Sequence, residues 1–461
     1  MRFLALIAGF AAAAALAADP PQAAVTDPPK DLAPDPFTSL ILQRLSAEEH
    51  PTCVAVGIVA SSTRVAFGCT KSAGPVKYDR DSVFEIGSVS KAFTGVVLAD
   101  MVQRGEVALT DPVSNYAPKG AKIPSRNGRE ITLKDLVTHT SGLPRLPVGF
   151  QPKDMSNPYA SFTTQALYDS LAVTELQSDP GAKQEYSNLG FMLLSDVLGR
   201  RAGKSFDRLL EERVLKPLFM VSTGVRLDED ATKRLVKGHN AKYEEVPHWD
   251  ILPSLAGVGG LRSSLIDMLR FAEAASGRRD SPLDKAFALS FHKLLAVERG
   301  TSTAFAWGVR DRGVGRIYFH NGETGGFHAM IAVNPDAKTA AVVLVDSATS
   351  LDDLAMHLVD TSIPTKVRRE AIALDPAKLD DYVGLYVLTP EFSIRVFREG
   401  NRLMTQATNQ GPVEIFAEAT QDHFFVKAFE AQLVFKRGSF ATVESLTLIQ
   451  GGRELAAKKA P

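Results

Sequence analysis

In FEIGSVSKAFTGVVLADMVQRGEV, Phe84 to Val107, Ser88 stands three residues before Lys91. Residues at that spacing share one face of a helix, so a hydroxyl and an amine can meet there. A serine hydroxyl is a weak nucleophile until a neighbour accepts its proton. A lysine does this if burial or nearby positive charge lowers its pKa. The start of a helix also leaves backbone N–H groups free, which favours developing negative charge. On the pair alone, a plainer reading stands beside this one: Ser88 or Ser90 caps the helix, and Lys91 is solvated in its first turn.

Two other stretches supply what the pair lacks. In PGAKQEYSNLGF, Tyr186-Ser187-Asn188 precedes a helix that begins near Leu189. A Tyr186 phenol there would relay the serine proton to a leaving group, with cationic neighbours favouring the phenolate. An Asn188 amide would bind a substrate carbonyl and orient Lys91. The alternative is a helix cap beside a packing tyrosine. In IYFHNGETGGF, His320-Asn321-Gly322 ends a predicted strand. The backbone N–H groups of Glu323 and Ser88 would make a two-donor oxyanion hole, and His320 a second polar or cationic group. Seen singly, this stretch is a glycine-rich turn with one histidine. Gly199-Arg-Arg-Ala-Gly203-Lys204-Ser205 is one residue short of a phosphate loop and joins two helices. Gly257-Val258-Gly259-Gly260 follows no clear strand, which argues against a dinucleotide site.

The elements that must position these groups come in blocks. A helix is predicted from Thr38 to about Ala47, followed by two strands around a turn near Ser61 and Ser62. The helix after Ser88 has apolar residues at helical spacing, and Gly105 stops it. From Ile131 to about Leu295 the pattern is mostly helical, with Thr132/Asp135 and Ser264/Asp267 as variants of the capping box. After Thr303, short β-rich runs follow one another as in a meander, and SLDDLAMHLVDTSI returns to helix. This order predicts an α+β fold in which the first and last thirds share one antiparallel sheet. Beyond a charged, Pro-punctuated segment at 364–378, seven short runs predict a small β domain over 379–461, a barrel or curved meander.

The N-terminus predicts export. MRFLALIAGFAAAAALAADP has one Arg, an apolar run and an A-x-A site at Ala15-Leu16-Ala17, the pattern of a signal peptide over 1–17. The run is too short for a spanning helix. Residues 18–37 read as a flexible leader. With a formal net charge of -1 and 23% charged residues, nothing argues for nucleic acid. Nine scattered His and two Cys give no metal-ligand spacing, so no metal or cofactor is expected. Cys53 and Cys69 face each other across the hairpin only if the register is in phase, so a disulfide and two free thiols both stand.

Taken together, S-x-x-K, Y-x-N and H-x-G, in this order, resemble the motif set of the serine β-lactamase and penicillin-binding protein superfamily. The nearest branch holds class C β-lactamases, D-alanyl-D-alanine carboxypeptidases and related esterases. LVTHTSGLPR (136–145), AGVGGLRSSLIDMLRF (256–271) and HNGETGGF (320–327) extend the resemblance over most of 37–362. The C-terminal part resembles the lipocalin-like β domain often appended to such hydrolases. The resemblance implies a β-lactamase/transpeptidase-like domain over 38–363. It makes Ser88 the acylated nucleophile, with Lys91 and Tyr186 handling protons. Asn188, His320, Gly322 and Glu323 would bind substrate. It implies a hydrolase of a small molecule or peptide, of the β-lactam or D-Ala-D-Ala type, and the N-terminal pattern places it in the periplasm or outside the cell. An esterase, or a sensor that acylates without turnover, are its alternatives. His320 in place of the family's lysine, and Asn321 in place of its threonine, put recognition of a penicillin carboxylate in question.

Overall fold

The run CVAVGIV contains no charged residue, and every residue of the strand it forms is buried. The computed structural model describes residues 35–460 apart from 241, 293–294, 298–300, 367–368, 391, 409, 428–430 and 451–452. The segment read as a signal peptide, and the leader up to residue 34, lie outside the described residues. β1 (Cys53–Val59), β2 (Thr63–Cys69), β3 (Leu295–Val297), β4 (Thr301–Thr303), β5 (Gly308–Arg312), β6 (Gly315–Glu323), β7 (His328–Asn334) and β8 (Thr339–Val345) form one sheet. Its order is 2-1-8-7-6-5-4-3. All of its pairings are antiparallel, and β8 docks on β1, so the ends of the domain share the sheet.

Successive side chains of a strand point to opposite faces. Val54, Val56 and Ile58 of β1, with Ala341 and Val343 of β8, pack beneath α1 (Pro36–Leu45) and α5 (Asp352–Val359). Ala55, Val59, Val342 and Leu344 face the larger core. That core also takes in α2 (Ser90–Gln103), α3 (Asn188–Arg201) and α4 (Leu265–Ala275). Cover on both faces explains why the central strands read as unbroken apolar runs. The first helix begins at Pro36 rather than Thr38. Asp35 caps it, accepting from Phe37 N at 2.8 Å, and proline suits the first turn because it lacks an N–H. Thr132 and Asp135 form the reciprocal capping box. Asp267 accepts instead from Ser222 N at 2.7 Å and Thr223 Oγ1 at 2.8 Å, tying a loop to α4.

Cys53 and Cys69 are direct cross-strand partners, and they are joined as a disulfide with Cα atoms 4.1 Å apart. The register is in phase, which decides between the two readings of the pair. Replacing both cysteines by serine is expected to cost about 3 kcal/mol for a loop of this order. The check is the denaturant midpoint of the double variant, and of the native chain with and without reductant. Equal midpoints throughout would count against a stabilising bridge.

The C-terminal strands run β9 (Gly384–Thr389), β10 (Phe392–Glu399), β11 (Arg402–Ala407), β12 (Val413–Ala417), β13 (His423–Val426), β14 (Gln432–Arg437), β15 (Val443–Gln450) and β16 (Arg453–Lys459). They close into a barrel through β9 and β16, Tyr386 facing Lys459. Tyr386, Val396, Phe424, Leu433, Phe435 and Leu446 fill its interior, as expected of eight strands whose inward side chains meet. The sequence reading found seven of these strands. The eighth, RELAAKK, is built of residues with low β propensity and is held by pairing on both edges.

Candidate active site

Ser88 lies in a short 3₁₀ turn, Gly87–Val89, and α2 starts only at Ser90. The local structural bonds belong to Ser90, whose Oγ donates to Gly87 O at 2.7 Å and accepts from Leu261 N at 3.1 Å. Ser88 Oγ is left to the cleft. It accepts from Lys91 Nζ at 2.9 Å and from the Tyr186 hydroxyl at 2.8 Å. Lys91 is fully buried and also donates to Val258 O at 2.5 Å. Among the described residues no carboxylate pairs with it. Burial, then the nearby Arg145 charge, push its pKa well below the ordinary lysine range. A solvated first-turn lysine is therefore not what the fold makes of this residue.

Tyr186 is held from several sides. The His139 ring stacks on it at 4.5 Å, and the Arg145 guanidinium lies 5.0 Å from its ring centroid. Burial pushes the phenol up to about 12, against the opposing pull of its Ser88 hydrogen bond and Arg145. The phenol is therefore protonated at neutral pH, and the cationic neighbour does not make phenolate its resting form. Ser187 caps α3 through Gly190 N at 2.9 Å, and its own N–H donates to His139 Nδ1 at 3.1 Å. Asn188 donates its backbone N–H to Arg145 O at 2.9 Å, and its side chain hydrogen-bonds Tyr159. Asn188 Oδ1 is buried with no hydrogen-bond partner among the described residues.

The third wall is the end of β6. Its pairing with β5 stops at Phe319, so His320 to Glu323 present an open edge. Two glycines let this backbone meet the serine turn. A Cβ at Gly322 would sit 2.1 Å from Ile86 O and 2.7 Å from Ser88 N. A Cβ at Gly87, where φ is +48°, would sit 2.6 Å from Glu323 N. His320 is buried behind the edge and donates from Nδ1 to Asn321 O at 2.5 Å. Burial and the Lys91 charge pull its pKa to about 4, so it is neutral at pH 7. Of the polar and cationic roles open to it, burial favours the polar one, because a buried imidazole beside an amine resists a second charge. Asn321 Nδ2 donates to Asp352 Oδ2 at 2.7 Å, and Asp352 also bonds His328 Nε2 at 2.7 Å, anchoring the strand to the start of α5.

These parts open on a cavity of about 820 Å³ lined by Ser88, Tyr186, Asn188, Gly322 and Glu323. Lys91 and His320 are buried and do not line it. The sequence reading gave no task in the site to Arg145, Trp249 or Val258, all of which line it. Val258 lies in the Gly257–Gly260 segment dismissed as a dinucleotide loop. Its use is as a carbonyl acceptor for Lys91, which carries no side-chain signature. LVTHTSGLPR marked the place of Arg145 but not its task.

Residues 40–360 match the Beta-lactamase family, and the chain belongs to it. It is a serine hydrolase. It is 31% identical over 311 residues to the D-alanyl-D-alanine-carboxypeptidase/endopeptidase AmpH of Escherichia coli (strain K12), a match covering 64% of this chain and 79% of that protein. Penicillin-binding protein 4* of Bacillus subtilis (strain 168) is 25% identical over 403 residues, covering 81% of this chain and 87% of its own length. Among solved structures, a class C beta-lactamase superposes with a TM-score of 0.60 at 20% identity, covering 71% of this chain and 95% of that one. A beta-lactamase/D-alanine carboxypeptidase from Yersinia pestis, complexed with citrate, gives 0.56 at 24% identity, covering 70% and 93%. At these identities the structural likeness speaks for the fold.

Proposed function

We propose that the protein is an exported hydrolase that cleaves amide or ester carbonyls through an acyl-enzyme on Ser88, with D-Ala-D-Ala-type peptides or β-lactams as substrates. One observation carries the reading: Ser88 Oγ lies between an amine of depressed pKa at 2.9 Å and a protonated phenol at 2.8 Å. Neutral Lys91 accepts the Ser88 proton as Oγ bonds to the carbonyl carbon. The oxyanion is held by the N–H groups of Ser88 and Glu323. As the bond to the leaving group breaks, Tyr186 donates its proton to that group and regains one from Lys91. Water then takes the place of the leaving group in the reverse sequence. Asn188 Oδ1 accepts a substrate N–H. Export is supported by the N-terminal pattern and by the Cys53–Cys69 bridge, which suits an oxidising compartment. The neutral His320 favours a second reading, an esterase that does not require a cation at that position.

The test compares native protein and Ser88→Ala. Each is incubated with a fluorescent penicillin, nitrocefin, p-nitrophenyl acetate and a D-Ala-D-Ala peptide. Native protein is expected to gain the mass of the acyl group on Ser88, and Ser88→Ala to gain none. Turnover of the ester alone selects the esterase. Full activity of Ser88→Ala on all four would end this mechanism.

A further inference from the structure

Among the described residues lining the cavity, Arg145 is the basic one. Its guanidinium makes no ion pair there and contacts the Tyr186 ring. Its carbonyl is pinned by Asn188 N at 2.9 Å and Leu189 N at 3.3 Å, so the residue is fixed to the wall that carries Tyr186 and Asn188. It is exposed, and the same cavity is lined by Asn188, whose Oδ1 has no hydrogen-bond partner among the described residues. On the opposite wall His320 turns inward onto Asn321 O. The cleft thus has a planar cation without an ion-pair partner among the described residues, on the wall where the motif comparison placed none.

We propose that Arg145 recognises a carboxylate on the substrate and is the specificity-determining residue of this cleft. A guanidinium offers two parallel N–H groups that match a carboxylate, which a point charge does not. The carboxylate belongs to either the acyl side or the leaving side of the scissile bond, and two ligand pairs separate these sources. The proposal rests on the acyl-enzyme reading for what is cut, but its test is one of binding.

Calorimetry on Ser88→Ala, which cannot be acylated, uses acetyl-Ala-D-Ala-D-Ala against its C-terminal amide for the leaving side. Glutaryl-D-Ala-D-Ala amide against butyryl-D-Ala-D-Ala amide serves for the acyl side. In one pair the acid is expected to bind about tenfold or more tighter than its neutral partner, the size of a charge-assisted pair. Adding Arg145→Gln should collapse that preference, and Arg145→Lys should retain part of it. No acid preference in either pair overturns the proposal. So does a preference that survives Arg145→Gln, or an equal weakening of acid and neutral ligands, which would make Arg145 only a support for Tyr186. Lack of an adduct on the native enzyme would sink the acyl-enzyme reading and leave this result standing.

Discussion

Lys91→Arg is expected to lower kcat/KM by roughly 10²–10⁴-fold, the usual worth of a positioned general base. The substitution preserves a long cation, so it isolates one property: the ability to be neutral. Arginine stays protonated in proteins. Lys91 is neutral more readily than a solvated lysine, because the fold buries it completely and gives it no carboxylate partner among the described residues. The sign of the pH dependence follows. In the proposed mechanism the active form carries a neutral Lys91 and a protonated Tyr186. Activity therefore rises with pH as Lys91 loses its proton, below the ordinary lysine range, and falls only as Tyr186 ionises near about 12. The measurement is a kcat/KM profile on p-nitrophenyl acetate over the range where the native chain stays folded. Lys91→Arg should lose the rising limb. A native-like rate with the same limb would remove Lys91 from the base role.

The same residue shows what the sequence made legible. Ser88, Lys91 and Tyr186 were candidates from their types and spacing, each with a plainer cap or packing reading beside it, and the resemblance carried by the three motifs together joined them; the structure brings them within hydrogen-bond reach. Their ionisation was not legible, since it is set by packing from distant segments. His139, Arg145 and Val258 surround Lys91 and Tyr186 from other parts of the chain. His320 is the sharpest case. Its position on the strand was read correctly, yet its charge depends on being buried behind the edge beside Lys91. The α+β sheet was legible from the order of elements. The hairpin register was not, because a one-residue slip reverses the face of each cysteine without changing the pattern of apolar residues. Closure of the barrel rested on RELAAKK, whose strand form comes from its two neighbours rather than from its own composition.

Gly322→Ala should reduce kcat by about 10²–10³-fold, the cost of misplacing one oxyanion donor. The reason is distance. The added methyl would fall 2.1 Å from Ile86 O, 2.7 Å from Ser88 N and 2.8 Å from Val89 N, all of them backbone atoms. Backbone cannot swing aside as a flexible side chain can, so β6 and the Ser88 turn must separate. Separation carries the Glu323 N–H away from the position at which, in the proposed mechanism, it and the Ser88 N–H share one oxygen. Ser88, Lys91 and Tyr186 keep their side chains and their mutual bonds, which distinguishes this variant from Lys91→Arg. The fluorescent penicillin should still label Ser88, but slowly, and the pH limb assigned to Lys91 should persist. Overpacking is expected to cost about 1–3 kcal/mol of stability as well, so the denaturation midpoint must be measured beside the rate. Gly87→Ala strains the same contact from the other side, 2.6 Å from Glu323 N and at a positive φ. A folded Gly322→Ala enzyme with native kcat would show that the close approach of strand and turn serves packing alone, and the Glu323 amide would leave the mechanism.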